Sequence, residues 1–580
     1  MRLVDSRRLT GPNLQTLGPA ALAEVAWDAG EDAELALAAW RREVARLHEG
    51  LGWPAPAEVV ARRFAGGAAL CFAAPPDLLL VATEVNDCAV ARATAVGRGE
   101  APASSMEEAL EPLRARAAEE AQPALRALWQ AAEARGAVFL LGEGELTLGA
   151  GRRSRTYRLE ALPGVDEVPW GELGHVPVAF VTGTNGKTTS ARLLAHMARA
   201  AGRTPGLTSP EGIGVWGVAG TLVEEGDWTG PGGARAVLRR PEVDLAVLEA
   251  ARGGILRRGL GVTRADAALI TNVAADHLGE YGVEDVATMA AVKAVIGRVV
   301  PRGGRVVLNA ADPELVALAG RFAAEVVYFA VEAEHPVVRA HLGRGGEAWV
   351  LRAGALVRAV GAEETRVVGV DEVPIAYGGA ALYNVENALG AAAMGAGLGF
   401  PLEALRAGLR SFGADPEDNA GRGQLVVVGG VRVLVDFGHN PDGVRAVMGL
   451  CAALRRRPSV DVEGAGPGRF TVIVGLPGDR REQDFSEVAR EIAAGRPDRV
   501  LVHDLPGYLR GRAEGEVPEL LRRALLGCGM AADAVAWAAG ETAALEQVLD
   551  TARPGDFVLI LAHIEGDGVR AALRAHAARG

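Results

Sequence analysis

The segment Val178-Ala-Phe-Val-Thr-Gly-Thr-Asn-Gly-Lys-Thr-Thr-Ser190 constrains the fold more than any other part of the chain. Its first five residues predict a buried strand, Gly183 and Gly186 a tight turn, and the residues that follow a helix. Glycine permits the backbone conformations in which successive N–H groups face one point. A helix N-terminus adds partial positive charge there, so the turn predicts an anion site made for phosphate. In such a loop Lys187 reaches the outer phosphates as a point charge, the Thr188 hydroxyl ligates Mg²⁺, and Thr184, Asn185 and Thr189 complete the cradle. Counted from Gly183 the spacing is GxxGKT, two residues shorter than GxxxxGK[ST].

Around this loop, short apolar runs recur between amphipathic stretches: Val178 to Thr182, Leu245 to Glu249, Ala267 to Thr271 and Arg305 to Asn309. That alternation predicts an α/β domain with a mostly parallel sheet covered on both faces. Before it, helical stretches at Ala33 to Glu49 and Met106 to Arg135, with β-like pieces at Ala68 to Ala73 and Leu78 to Thr83, predict an α+β domain. Leu162 to Pro177, with three prolines and no sustained period, reads as a linker. After Asn419 a hairpin is expected from Leu425 to Val428 and Val431 to Val435. Strands at Phe470 to Val474, Arg499 to His503 and Phe557 to Ala562 then predict a smaller α/β domain. With 580 residues the chain exceeds one core, and three domains are expected: 1–165, 166–418 and 419–580.

Composition narrows the function. A net charge of −12 opposes general binding to nucleic acid or to an anionic membrane surface. The opening Met-Arg-Leu-Val-Asp-Ser-Arg-Arg carries charges where a signal peptide needs an apolar run. The weakly polar stretch Ala388 to Phe400 is too short to span a bilayer, so a cytoplasmic protein is expected. Cys71, Cys88, Cys451 and Cys528 lie far apart, without metal-ligand spacing, and read as reduced thiols.

Two further strand ends carry groups that suit a hard cation: Glu249, and Asp276 with His277. Taken alone, His277 reads more readily as a satisfied core or surface histidine. Lys293 lies in the apolar helical run Val286 to Ile296, where a buried charge is costly, so it either snorkels or is chemically modified. Asn384 and Asn387, three apart on a predicted helix, call for partners for their amides.

The string Thr182-Gly-Thr-Asn-Gly-Lys-Thr188 resembles the phosphate loop of the Mur ligase family. Leu248-Glu-Ala-Ala-Arg-Gly-Gly-Ile-Leu256, Thr271-Asn-Val-Ala-Ala-Asp-His277, Thr229-Gly-Pro-Gly-Gly-Ala-Arg235, Gly475-Leu-Pro-Gly-Asp-Arg-Arg481 and Leu509-Arg-Gly-Arg512 resemble its cyanophycin synthetase branch. So, over a shorter span, does Arg8-Leu-Thr-Gly-Pro-Asn13. The resemblance implies an ATP-dependent, ADP-forming ligase that activates a carboxylate as an acyl phosphate and lets an amine displace the phosphate.

It also implies residue roles. Lys187, His277 and Lys293 would serve catalysis. Thr188, Glu249, His277 and a carbamylated Lys293 would hold two Mg²⁺ ions. Asn387 would meet the adenine, with Tyr383 standing where the family commonly has His. Arg422, in Gly421-Arg-Gly, would close on the phosphates, and Asp436, in Asp436-Phe-Gly-His-Asn-Pro441, on the ribose.

The ATP-grasp domain that separates the amino-terminal and Mur-like parts in that branch is nearly absent between Leu146 and Val178, so one of two paired activities is expected to be missing. The implied substrates are an amino acid such as arginine and an aspartyl, peptide or polymer carboxylate, with a companion synthetase and a homo-oligomer as expected partners. Arg480, Arg481, Arg510 and Arg512 read as solvated charges before carboxylate ligands. Two rivals stand beside this reading: a nucleotide-binding scaffold without turnover, and a folylpolyglutamate-like ligase.

Overall fold

The computed structural model describes residues 1–215, 221–456 and 468–578. They form two compact units: Met1–Val350 with Val357–Val367 and Ala388–Gly408, and Leu351–Leu356 with Val368–Asn387 and the chain from Leu409 onward.

The first unit opens with β1 (Arg2–Leu9), β2 (Ala20–Ala26), β3 (Val59–Phe64) and β4 (Gly67–Ala73), paired in the order β1-β2-β4-β3. All three pairings are antiparallel. One face packs on the helix Ala33–Gly50, which Asp32 caps by accepting from the Glu34 and Leu35 amides, and whose buried Leu37, Trp40, Val44 and Leu47 recur at helical spacing.

The expected strand at Leu78 to Thr83 is instead the start of a helix, Leu79–Gly97, entered through the 3₁₀ turn Pro76–Leu78. A short apolar run suits a buried helix as well as a strand. Here the buried set Leu79, Val81, Ala82, Val85, Ala89, Val90 and Ala93 continues with a period of three to four. Met106 to Arg135 is two helices, Met106–Glu120 and Pro123–Arg135, because Pro123 starts a new first turn.

A small sheet follows, β5 (Phe139–Leu141), β6 (Glu145–Leu148) and β7 (Arg155–Arg158). The segment expected as a linker packs on it: Val168 and Leu173 are buried in one cluster with Leu125, Leu128, Leu146 and Leu148. Its prolines break periodicity without keeping it in solvent.

The large sheet comprises β8 (Val178–Thr182), β9 (Pro205–Thr208), β10 (Gly212–Val215), β11 (Thr221–Glu225), β12 (Leu245–Glu249), β13 (Ala267–Ile270), β14 (Arg305–Asn309), β15 (Glu325–Ala330) and β16 (Glu347–Arg352). Its order is β11-β10-β9-β12-β8-β13-β14-β15-β16, continued by β17 (Ala355–Val360) and β18 (Glu363–Gly369). From β9 to β16 the neighbours run parallel, while β10 and β11 add an antiparallel edge. Strand β8 sits between β12 and β13, with all five residues buried, so the phosphate-loop turn emerges at the middle of the sheet's carboxyl edge.

In the second unit, β19 (Gln424–Val428) and β20 (Val431–Asp436) form the expected hairpin. With β21 (Phe470–Val474), β22 (Arg499–Val502), β23 (Val535–Trp537) and β24 (Phe557–Leu561) they make a sheet of order β19-β20-β24-β21-β22-β23. Its pairings are parallel apart from the hairpin. The fold is thus the expected one: a P-loop central α/β region with a mostly parallel sheet, a smaller α/β region after it and an α+β region before it. Among the described residues no helix is long and apolar enough to cross a membrane.

Candidate functional site

Gly183 and Gly186 have φ of +155° and +84°, and the helix Lys187–Ala200 begins at Lys187. A Cβ on Gly183 would stand 1.8 Å from Thr271 Oγ1, so the turn closes against the end of β13. Gly183→Ala should therefore displace Thr271 as well as strain its own backbone, costing about 3 kcal/mol of stability by the scale of overpacking plus strain. Denaturant unfolding checks this; a loss below about 1 kcal/mol would mean the two loops separate freely.

The loop after β13 shapes the turn. Thr184 N donates to Asn272 O (2.9 Å), Asn185 N to Asn272 Oδ1 (2.9 Å), Thr271 Oγ1 to Asn185 O (2.6 Å) and Ala274 N to Thr184 Oγ1 (3.0 Å). Asp312 supports that loop by accepting from Val273 N at 2.6 Å while capping the helix Pro313–Leu318. The sequence reading quoted Thr271 and Asn272 within the family-like string but gave them no role, and it passed over Asp312. Asp312, an acid followed by Pro after a strand, carries a local signal of its own, that of a helix cap.

Lys187 folds back over the turn, its Nζ donating to Gly183 O at 3.1 Å and Thr184 O at 3.0 Å. Thr188 Oγ1 donates to Glu249 Oε2 at 2.9 Å, and both residues are buried. Register explains the meeting: Glu249, last in β12, pairs with Val181, next to last in β8. The Glu249 backbone is held by Thr208 Oγ1, which accepts from its N–H at 2.9 Å.

Lys293 ends the helix Val286–Lys293 and is 4% exposed. Burial, reinforced by the positive charges of Lys187 and Arg252 and opposed by Asp276 and Asp312, lowers its ammonium from the ordinary lysine range to about 7. The buried carboxyl of Asp312 moves the other way, upward. His277 lies in the loop after β13 at φ +54°, with Nε2 3.9 Å from Asp276 Oδ1, and its carbonyl accepts from Arg252 Nη1 at 3.3 Å.

Among the described residues no three His, Cys, Asp or Glu side chains gather closely enough to hold a metal by themselves. The oxygens of Thr188 and Glu249 nevertheless suit Mg²⁺, which commonly takes one or two carboxylates and completes its shell from phosphate and water. The donor set fits that ion.

In the second unit the other expected residues lie near one another. Asn387 Nδ2 donates to Asn384 Oδ1 at 3.2 Å, and Asn384 Nδ2 to Ile375 O at 2.9 Å, so both buried amides have partners. Arg422 stacks on the Phe437 ring at 4.0 Å. Burial raises the Asp436 carboxyl, against the pull of the Gly438 amide, which donates to it at 2.8 Å, and of the Arg422 charge. Tyr377, which the sequence reading passed over, pins the turn before β19, donating to Gly423 O and accepting from Leu425 N.

The arginines of the next loops divide. Arg512 staples main chain, donating to Gly478 O at 2.7 Å and Arg480 O at 3.3 Å, and Arg480 is 8% exposed, which corrects their reading as solvated charges. Arg481 is exposed and paired with Asp484. Beyond them, Glu541 is wholly buried and accepts from the His563, Ile564 and Glu565 amides after β24. Burial drives the His563 imidazolium down to about 3, so that ring is neutral.

A phosphate loop at the centre of a parallel sheet, with a carboxylate from the next strand bonded to its threonine, defines a P-loop α/β domain. Residues 181–395 match the Mur ligase middle domain, and residues 421–564 match the Mur ligase, glutamate ligase domain. The chain belongs to the Mur ligase family.

Cyanophycin synthetase of Synechocystis sp. is 39% identical over 394 residues, which cover 68% of this chain and 43% of that protein. Cyanophycin synthetase of Crocosphaera subtropica is 38% identical over 66% of this chain and 42% of that protein. The chain thus spans less than half the length of these relatives. A UDP-N-acetylmuramoyl-L-alanyl-D-glutamate--2,6-diaminopimelate ligase of Gloeobacter violaceus is 27% identical over 66% of this chain and 71% of that protein. Among solved structures, E. coli FolC in complex with ADP is 20% identical with a TM-score of 0.49, over 70% of this chain and 90% of that one.

Proposed function

We propose that the chain is an ATP-dependent ligase that phosphorylates a carboxylate and lets an amine displace the phosphate, forming an amide and releasing ADP. The observation that carries this reading is the Thr188–Glu249 hydrogen bond beneath the Lys187 turn, in a chain of the Mur ligase family. A lysine, a helix N-terminus and two oxygen ligands at the carboxyl edge of the sheet suit the outer phosphates of a nucleotide and its cation.

Gly183, Thr184, Asn185, Gly186, Lys187, Thr188 and Thr189 would hold the phosphates. Thr188, Glu249, His277 and Lys293 would hold Mg²⁺, which when bound would neutralise phosphoryl charge. A neutral Lys293 amine suits carbamylation, since CO₂ adds to the free base, and a carbamate would turn a cation into an oxygen ligand. Asn387 would serve the base, Asp436 the ribose and Arg422 the phosphates.

The proposed organisation is an amino-terminal domain, 1–165, a nucleotide-binding domain, 166–418, and a carboxyl-terminal domain, 419–580. The proposed substrates are an amino acid, arginine first, and an aspartyl or other peptide carboxylate, handled in the cytoplasm by a homo-oligomer together with a companion synthetase. The test is ADP release by the purified chain with aspartyl peptides and each amino acid in turn. Release that needs both substrates supports the reading. Release with neither, or none with any pair, overturns it.

A further inference from the structure

The amino-terminal sheet is docked on the two loops that carry the expected metal ligands. After Glu249, the chain forms the helix Arg252–Arg258 and the turn Gly259–Leu260. There Thr10 N donates to Arg258 O and Leu260 N to Pro12 O, both at 2.7 Å. A Cβ on Gly11 would stand 2.2 Å from Leu260 O, so the segment Arg8-Leu-Thr-Gly-Pro-Asn13 is shaped to this contact.

After His277, the loop is gripped from β3. Arg62 Nη1 donates to Gly282 O at 2.7 Å and Nη2 to Tyr281 O at 2.9 Å. Ala65 N donates to Glu284 Oε2 at 2.8 Å, and Arg7 of β1 stacks on the Tyr281 ring at 4.5 Å. The ring of Phe64 fills the space beside Gly282, where a Cβ would come within 2.4 Å. Within the loop, His277 and Tyr281 both hold positive φ, +54° and +55°. Non-glycine residues keep that conformation only where surroundings impose it. Glu280 between them accepts from Arg252 Nη2 at 2.6 Å, joining the two loops.

We infer that Arg62 is a positioning residue: by clamping the Tyr281 and Gly282 carbonyls it holds the 277–284 loop, and with it His277, in the conformation that receives a divalent cation beside the nucleotide. The amino-terminal domain then acts on the site through main-chain geometry without reaching the nucleotide itself. Two nitrogens of the Arg62 fork each take one of these carbonyls in a fixed geometry, which a single ammonium on a flexible stem holds less rigidly, so Arg62→Lys should restore only part of the effect.

This inference rests on the ligase reading, and one experiment separates the two. Mn²⁺ binding in the presence of a non-hydrolysable ATP analogue is measured by electron paramagnetic resonance on the full chain and on Arg62→Ala, Arg62→Lys and Arg298→Ala, with amide hydrogen exchange of 277–284 followed in the same proteins. Arg298 donates to the Asn13 and Leu14 carbonyls, so its loss loosens the same docking away from the His277 loop.

Arg62→Ala should weaken Mn²⁺ about tenfold and speed exchange of the loop about tenfold, a change of about 1.4 kcal/mol in each equilibrium. Arg62→Lys should fall between, and Arg298→Ala should match wild type in both. Equal Mn²⁺ affinity in wild type and Arg62→Ala overturns the inference and leaves the ligase reading standing; so does an equal loss in Arg62→Ala and Arg298→Ala. A wild-type chain that binds no Mn²⁺ with the nucleotide overturns both.

Discussion

Lys187→Ala should release ADP at about one thousandth of the wild-type rate or less while folding normally. The Lys187 ammonium lies over the turn on two neutral carbonyls, Gly183 O and Thr184 O. Those charge-assisted bonds are half-open to water and together contribute about 2 kcal/mol to the fold, so the melting temperature should fall by several degrees at most. Its larger effect is on a transferring phosphoryl group, whose charge no other group at the turn meets with a mobile cation. Removing one preorganised donor of this kind costs about 10²–10³ in rate. A full positive charge on a phosphoryl group belongs at or beyond the upper end, about 4 kcal/mol in barrier. Substrate-dependent ADP release at single-turnover enzyme concentration reads it directly. A rate within tenfold of wild type would mean that the loop serves binding alone, as a scaffold would.

Lys293→Met should stabilise the fold and depress turnover, two effects of opposite sign from one substitution. With its folded-state pKa depressed from 10.5 to about 7, the lysine binds fewer protons in the native than in the unfolded chain between those values. Stability from this group therefore rises as pH climbs from about 7 to 10.5, and the full penalty is felt below 7. At 1.36 kcal/mol per unit the penalty is at most about 5 kcal/mol. Methionine of similar length removes it at the cost of some packing, so a gain of about 2 kcal/mol at pH 7 is expected, with the rise above pH 7 flattened. Urea unfolding across pH 6 to 10 tests both features.

Turnover should fall at least about a hundredfold in the same variant, the usual scale for a group acting on a bound metal or phosphoryl. A carbamate adds a further expectation: wild type freed of dissolved CO₂ should lose activity and regain it with bicarbonate, whereas Lys293→Met should not respond. A wild-type rate indifferent to bicarbonate would leave Lys293 an unmodified amine. A variant less stable than wild type at pH 7 would contradict its buried, near-neutral state.

What the sequence disclosed unaided was local chemistry. The phosphate loop was legible because its glycines, lysine and threonine are adjacent in the chain and impose their geometry on neighbours. The strands Val178–Thr182, Leu245–Glu249 and Phe470–Val474 were legible because a strand buried on both faces is nearly all apolar, with Thr182, Glu249 and Thr471 the exceptions here. Leu78 to Thr83 misled because five apolar residues in a row fit either period, and only the packing of Val85, Ala89 and Ala93 further along chose the helix.

What tertiary structure alone decided were the pairings of distant residues. Asn272 moulds the turn at Asn185 from 87 positions away, and Arg62 clamps Tyr281 across 219. No spacing rule reaches so far, because these contacts follow from which strands lie side by side. The partners are ordinary asparagines and arginines until the sheet brings them together.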